Sequence, residues 1–259
     1  MKFETLDLVK QDKIATITFN RPELLNAVNE QFIWDFQKAT SDVKDDDDIK
    51  VLIINASGRG FCAGADLSER ESSWEGSQDA LMRGFKPFFE NIISMPKPVI
   101  AAVQGPAAGV GASIAMSCDL RVMSENGYIL SVFSNIALVP DGGLSWFLPR
   151  FMGYSKAYEY AIEAKKIMAD ECLHFGMVNK VVPEEELMKS TMDWALKLAK
   201  RPSQSLAHTK KLMCSGRYMV LCGQHRRGFS GNQHRLHFGH REEKPAPAAE
   251  VWGLGRAEQ

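Results

Sequence analysis

No run of about 18 consecutive apolar residues occurs in this 259-residue chain, so no segment reads as a membrane-spanning helix. The opening Met1-Lys2-Phe3-Glu4-Thr5 lacks the apolar stretch of a secretory signal, and the cytoplasm is the expected compartment. The five cysteines, Cys62, Cys118, Cys172, Cys214 and Cys222, include no CxxC pair, which excludes the common zinc and dithiol arrangements. Reduced, mostly buried thiols are expected instead. A formal charge of −1 leaves no basic excess to hold nucleic acid or an anionic membrane. The acidic run Asp45 to Asp48 has neither the alternating ligands nor the central glycine of a calcium loop, and reads as a solvated connection. No metal site is expected.

Glycine is present where it counts. Two glycine-bearing turns stand out, Gly58-Arg59-Gly60-Phe61-Cys62-Ala63-Gly64-Ala65-Asp66-Leu67 and Gly105-Pro106-Ala107-Ala108-Gly109-Val110-Gly111-Ala112. Neither is followed by Gly-Lys-Ser/Thr, and Gly109-Val110-Gly111-Ala112-Ser113-Ile114 lacks the third glycine of a dinucleotide fingerprint. A phosphate cradle is therefore not expected. Each turn follows a strand-like apolar run, Val51 to Ile54 or Val99 to Val103, and precedes a stretch able to turn helical. A backbone N–H at a helix start is free to donate, and two such donors aimed at one point form an oxyanion hole. Two ordinary tight turns are the alternative.

Together with Ile17-Thr18-Phe19-Asn20-Arg21-Pro22-Glu23-Leu24-Leu25-Asn26-Ala27, Pro98-Val99-Ile100-Ala101-Ala102-Val103-Gln104-Gly105 and Cys118-Asp119-Leu120-Arg121, the two turns resemble the crotonase, or enoyl-CoA hydratase/isomerase, superfamily. The resemblance persists to about Met213. It implies an α/β fold, a spiral of repeated strand-strand-helix units with a C-terminal helical layer. It also implies that the amides of Ala65 and Val110 bind the thioester oxygen of an acyl-CoA, with Ala63, Gly64, Asp66, Leu67 and Gly109 beside them in the binding loops. Coenzyme A would enter as part of the substrate, no separate cofactor is implied, and the expected assembly is a homotrimer or dimer of trimers.

Apolar spacing outlines the chain. Strands are expected near Phe3 to Leu8, Ile14 to Phe19, 51 to 55, 99 to 103 and Leu120 to Met123, and helices over Asn26 to Val43 and Asp79 to Ser94. From Gly153 helices dominate: Ser155 to Ala164, Ala169 to Leu173, Pro183 to Ala199 and Ser203 to Leu212, with a short strand at Val178 to Val182. The expected organisation is a core over 1–152, a helical oligomerisation region over 153–213 and an irregular tail over 214–259. The tail holds His225, His234, His237 and His240, and no acid occurs between Asp193 and Glu242. It departs from the superfamily pattern as an altered reading frame near Cys214 would. Its histidine spacing suits no particular metal.

An oxyanion hole stabilises charge; the proton carrier decides the reaction. In hydratases of the superfamily two glutamates do that work, and the matching positions here are Ser113 and Phe133. The segment Phe133-Ser134-Asn135-Ile136-Ala137-Leu138-Val139-Pro140-Asp141-Gly142-Gly143-Leu144-Ser145 instead resembles that of enoyl-CoA isomerases and of the ring-opening isomerase of phenylacetate degradation, in which an acid follows the proline. Asp141 occupies that place. It is either the single proton carrier or the N-cap of a helix from Gly142 to Phe151. Asp66 is expected to cap a helix after the first turn, and Asp119 to be structural. Arg21, Arg59 and Lys97 are either phosphate contacts or solvated charges, and Cys62 is a poor nucleophile for want of a basic partner. The expected function is an acyl-CoA isomerase shifting a double bond or opening an aromatic epoxide. A hydratase or hydrolase of the same superfamily is the first alternative, and a non-catalytic acyl-CoA-binding scaffold the second.

Overall fold

The structure is a computed structural model describing residues 2–69 and 73–221. In chain order its elements are β1 (Leu6–Gln11), β2 (Ile14–Phe19), α1 (Glu30–Asp45), β3 (Val51–Ala56), α2 (Ser77–Asp79), α3 (Lys86–Ser94), β4 (Val99–Val103), β5 (Pro106–Ala108), α4 (Val110–Ser117), β6 (Leu120–Ser124), β7 (Tyr128–Leu130), α5 (Leu144–Met152), α6 (Tyr154–Ile162), β8 (Lys166–Met168), α7 (Ala169–His174), β9 (Lys180–Val182), α8 (Leu187–Ala199) and α9 (Ser203–Leu221). A π-helical stretch, Ala80–Phe85, joins α2 to α3.

Six strands form one sheet in the order β1-β2-β3-β4-β6-β9, parallel except for the β1–β2 hairpin. Parallel strands must be covered on both faces, and β3 meets that demand with an unbroken apolar run. Val51 and Ile53 join Ile14, Ile100 and Val122 under Leu187 and Ala195 of α8. Leu52 and Ile54 face the larger core, with Phe19, Phe32, Phe36 and Phe88.

A second, three-stranded sheet in the order β5-β7-β8 explains how the glycine turns come together. Each turn of the chain gives one strand to the large sheet, then a short extended piece beside it, then a helix. Thus β2 is followed by Val28 and α1, β3 by residues 62–65 and α3, β4 by β5 and α4, and β6 by β7. Single bridges Val28↔Ala65 and Cys62↔Ala107 knit the extended pieces of successive turns. This repetition is the spiral of strand-strand-helix units.

Several boundaries differ from the sequence reading. Helix α1 starts at Glu30, not Asn26, because Leu25 and Asn26 adopt left-handed φ of 51° and 56° and Asn29 caps the helix by accepting from the Phe32 N–H. The expected helix at 79–94 is broken into α2, the π stretch and α3. Pro87 has no N–H to give the Arg83 carbonyl, and Gln37 Nε2 takes that acceptor at 3.2 Å. Strands β5, β7 and β8 are too short to show a period. Helix α9 continues to Leu221, so the segment expected to be irregular from residue 214 begins as helix. Residues 222–259, with four tail histidines and Cys222, lie outside the described residues.

Candidate active site

The first turn is shaped by two buried amides. Asn26 Nδ2 donates to the carbonyls of Ser57 and Gly60, both at 2.9 Å. Gln104 Nε2, reaching across from the end of β4, donates to those of Ala56 and Gly60, also at 2.9 Å. With its carbonyls held inward, the turn runs on to Ala65 as an extended edge. Val28 takes both hydrogen bonds of its bridge from the flanking residues, donating to Gly64 and accepting from Asp66. Alternation along an extended chain therefore turns the N–H of Ala65 the other way, and among the described residues it donates to no acceptor.

The second donor arises differently. Val110 is the first residue of α4, where an N–H has no intrahelical partner, and the helix dipole adds positive potential there. Gly109 precedes it with φ 52°, and Gly64 precedes Ala65 with φ 106°. The two glycines pack against each other, so the donors sit on neighbouring turns of the spiral.

Asp141 joins this pair through α4. One helical turn beyond Val110, the buried Ser113 hydroxyl donates to the Asp141 carbonyl at 3.1 Å. The Asp141 carboxyl is half-buried, and burial raises its pKa above the ordinary aspartate value. No charged neighbour acts on it among the described residues; its own backbone N–H lowers the pKa in part. It does not cap the following helix. That helix starts at Leu144, its N-cap is Gly143 with no side-chain cap, and Asp141 contributes only its carbonyl, to the Leu144 N–H at 2.9 Å. Immediately beyond lies a cavity of about 390 Å³ walled by Phe85, Phe89, Ile93, Gly142, Trp146 and Phe147. Its lining is apolar apart from Lys86, Glu90 and Ser145 at its margin.

The remaining expected residues fall into place or out of it. Asp66 caps no helix, since residues 67–69 are not helical: its carboxylate accepts from Ser68 and pairs with Arg21 at 2.9 Å, which together hold its pKa low. Arg21 is thereby committed within the protein. Lys97 is buried and donates to the Val43 and Asp46 carbonyls, closing the end of α1, so it is no surface charge. Arg59 and Leu67 are exposed, whereas the Ala63 N–H is used by the Leu25 carbonyl. Asp119 is structural, accepting from the Val99 N–H and pairing with Lys210 of α9 at 2.8 Å. The Cys62 thiol is fully buried and its pKa pushed up to about 12. Among the described residues no group of His, Cys, Asp and Glu is arranged to hold a metal ion, and no helix is long and apolar enough to cross a membrane. Sequence reasoning missed the role of Asn26 and Gln104. The available signal was a side-chain amide abutting an apolar run, where burial demands partners.

Known proteins resemble this chain in sequence and in fold. A family model described as enoyl-CoA hydratase/isomerase matches residues 9–228. The 1,2-epoxyphenylacetyl-CoA isomerase of Escherichia coli (strain K12) is 34% identical over 212 residues, covering 80% of this chain and 81% of that protein. The short-chain-enoyl-CoA hydratase of Clostridium acetobutylicum is 33% identical over 219 residues, 83% of each. Among solved structures, an enoyl-CoA hydratase from Bacillus anthracis superposes with a TM-score of 0.78 at 26% identity, covering 83% of this chain and 84% of that one. A monofunctional enoyl CoA isomerase from M. smegmatis gives 0.70 at 26% identity, with 82% and 93% covered.

Proposed function

The chain belongs to the enoyl-CoA hydratase/isomerase family, and from that membership we propose that it is an acyl-CoA isomerase in which Asp141 carries the proton. The observation that carries the proposal is the lone carboxyl: Asp141 is half-buried, has no ion pair among the described residues, caps no helix and adjoins an apolar cavity. Ser113 and Phe133, the positions matching the two hydratase glutamates, supply no second carboxylate.

Moving a double bond from β,γ to α,β requires one base. Asp141 removes a proton at C2 and returns it at C4, while the Ala65 and Val110 amides hold the thioester oxygen of the dienolate between the steps. A half-buried carboxyl is suited to this because its raised pKa narrows the gap to the carbon acid and favours return of the proton. The reaction is redox-neutral and consumes no water, so coenzyme A enters only as part of the substrate. The apolar cavity beyond Gly142 would take the acyl tail. Ring-opening of an aromatic epoxide thioester would call on the same donors and the same carboxyl, and the Escherichia coli relative is named as a 1,2-epoxyphenylacetyl-CoA isomerase.

A hydratase reading draws on the relatives named as hydratases. There Asp141 would activate water. Incubating the full chain with a 3-enoyl-CoA and a 2-enoyl-CoA in ¹⁸O-labelled water separates the two. A shifted double bond without ¹⁸O supports the isomerase, and a labelled 3-hydroxyacyl product rejects it. Assembly as a homotrimer or dimer of trimers is proposed with this reading, to be checked by light scattering.

A further inference from the structure

We propose that Ser113 is the positioning residue that fixes Asp141 relative to the Val110 amide, an inference that rests on the isomerase reading above. Val110 and Ser113 are three residues apart on α4, so they share a helix face one turn apart. The fully buried Ser113 hydroxyl is the only side-chain donor to the Asp141 carbonyl among the described residues. The same oxygen lies 3.3 Å from the carbonyl of Gly109, the residue before the Val110 donor. Gly109 also accepts the Ser113 N–H at 3.1 Å, and of the two carbonyls within reach of the single hydroxyl hydrogen that of Asp141, at 3.1 Å, is the nearer.

Packing enforces the same link. Gly142 sits at φ 55° against Ser113, and a methyl built on it would stand 2.6 Å from Ser113 Cβ and 2.9 Å from Phe89 Cζ. The peptide after Asp141 is thus wedged between α4 and α3. A glutamate side chain at 113, as the matching hydratase position carries, would have to displace that peptide. Ser113 makes room for the Asp141 segment and ties it down with the same atom.

Removing the hydroxyl frees the Asp141 backbone while leaving the oxyanion donors and the cavity in place. Ser113→Ala is expected to lower kcat about tenfold, the effect of a small misplacement of a reacting group, with KM within about twofold. The acidic limb of the kcat profile should move down in pH, because a loosened Asp141 gains water and its carboxyl returns toward the ordinary aspartate range. The charged side chains nearest the cavity, Lys86 and Glu90, are 3.6 Å apart and face each other on α3, and Arg150 lies over the Trp146 ring. None of them contributes to the shift at Asp141.

The experiment compares full-length wild type, Asp141→Asn, Ser113→Ala and Ser113→Cys with a 3-enoyl-CoA, recording kcat, KM and pH profile. Ser113→Cys keeps a side-chain donor, weaker and somewhat larger than the hydroxyl, and provides a second readout if Ser113→Ala does not fold. A reduced kcat with a displaced acidic limb supports the inference. An unchanged kcat, or a reduced kcat with an undisplaced limb, overturns it alone if Asp141→Asn is inactive. An active Asp141→Asn overturns the isomerase reading and this inference with it.

Discussion

Gly64 and Gly109 meet backbone to backbone: a methyl on Gly109 would stand 3.6 Å from the Gly64 Cα, and one on Gly64 would stand 3.2 Å from the Ala108 carbonyl oxygen. Both residues have positive φ, so a side chain at either adds left-handed strain of about 1–2 kcal/mol, and at Gly64 it also crowds the Ala108 carbonyl. Each immediately precedes a proposed donor. Gly64→Ala or Gly109→Ala should therefore turn one N–H away and cut kcat/KM by about 100-fold, the typical loss of an oxyanion-hole donor. Steady-state kinetics beside circular dichroism tests this, and an active, folded variant would mean that the donors are not where the thioester binds.

Gln104 should matter for both stability and rate. Its Nε2 holds carbonyls at positions 56 and 60, and replacing it by Leu leaves the part-buried Ala56 acceptor and the buried Gly60 acceptor without that donor. The expected cost is about 1–3 kcal/mol, read as a lower denaturant midpoint with unchanged slope. kcat should fall as well, because the same bonds orient the turn leading to Ala65.

Asp141 should destabilise the fold at neutral pH. Its carboxyl has a raised pKa when folded, whereas an unfolded aspartate titrates near about 3.9. Between these values the folded chain binds more protons than the unfolded one, so this group's contribution falls as pH rises through the folded pKa. Asp141→Asn should consequently melt at a higher temperature than wild type near pH 7. The advantage should vanish below about pH 4, where wild-type Asp141 is protonated in both states.

Cys62 should be inert in the native protein. The thiol is fully buried and its pKa pushed up to about 12, so iodoacetamide at pH 8 should leave it unmodified by peptide mass spectrometry until denaturant is added. Rapid native alkylation at this position would contradict its burial.

How much of this was legible in the sequence depended on whether a feature was local. The β3 run Val51 to Ile54 declares a strand buried on both faces, and Gly109-Val110-Gly111 declares a turn entering a helix, so both appear where expected. Asp66 shows the limit. An acid before Leu67-Ser68 reads as a helix cap, yet its partner is Arg21, 45 positions earlier, and residues 67–69 are not helical. The donor at Ala65 comes from a strand-like bridge to Val28, a pairing between successive turns that local propensity does not carry. Lys97 was open to a surface reading because nothing nearby reveals that its ammonium closes α1 through the Val43 and Asp46 carbonyls. Asp141 was left between capping and catalysis. The left-handed φ of 87° at Gly143 makes that glycine the N-cap and releases the carboxyl.

The central claim is that one carboxyl, at position 141, moves the proton. Its most direct test is turnover of a 3-enoyl-CoA by purified Asp141→Asn beside wild type, with affinity for a saturated acyl-CoA measured on the same samples. Loss of at least about 10²-fold in kcat with affinity retained is the predicted result. Near-wild-type kcat in the folded Asn variant would contradict it.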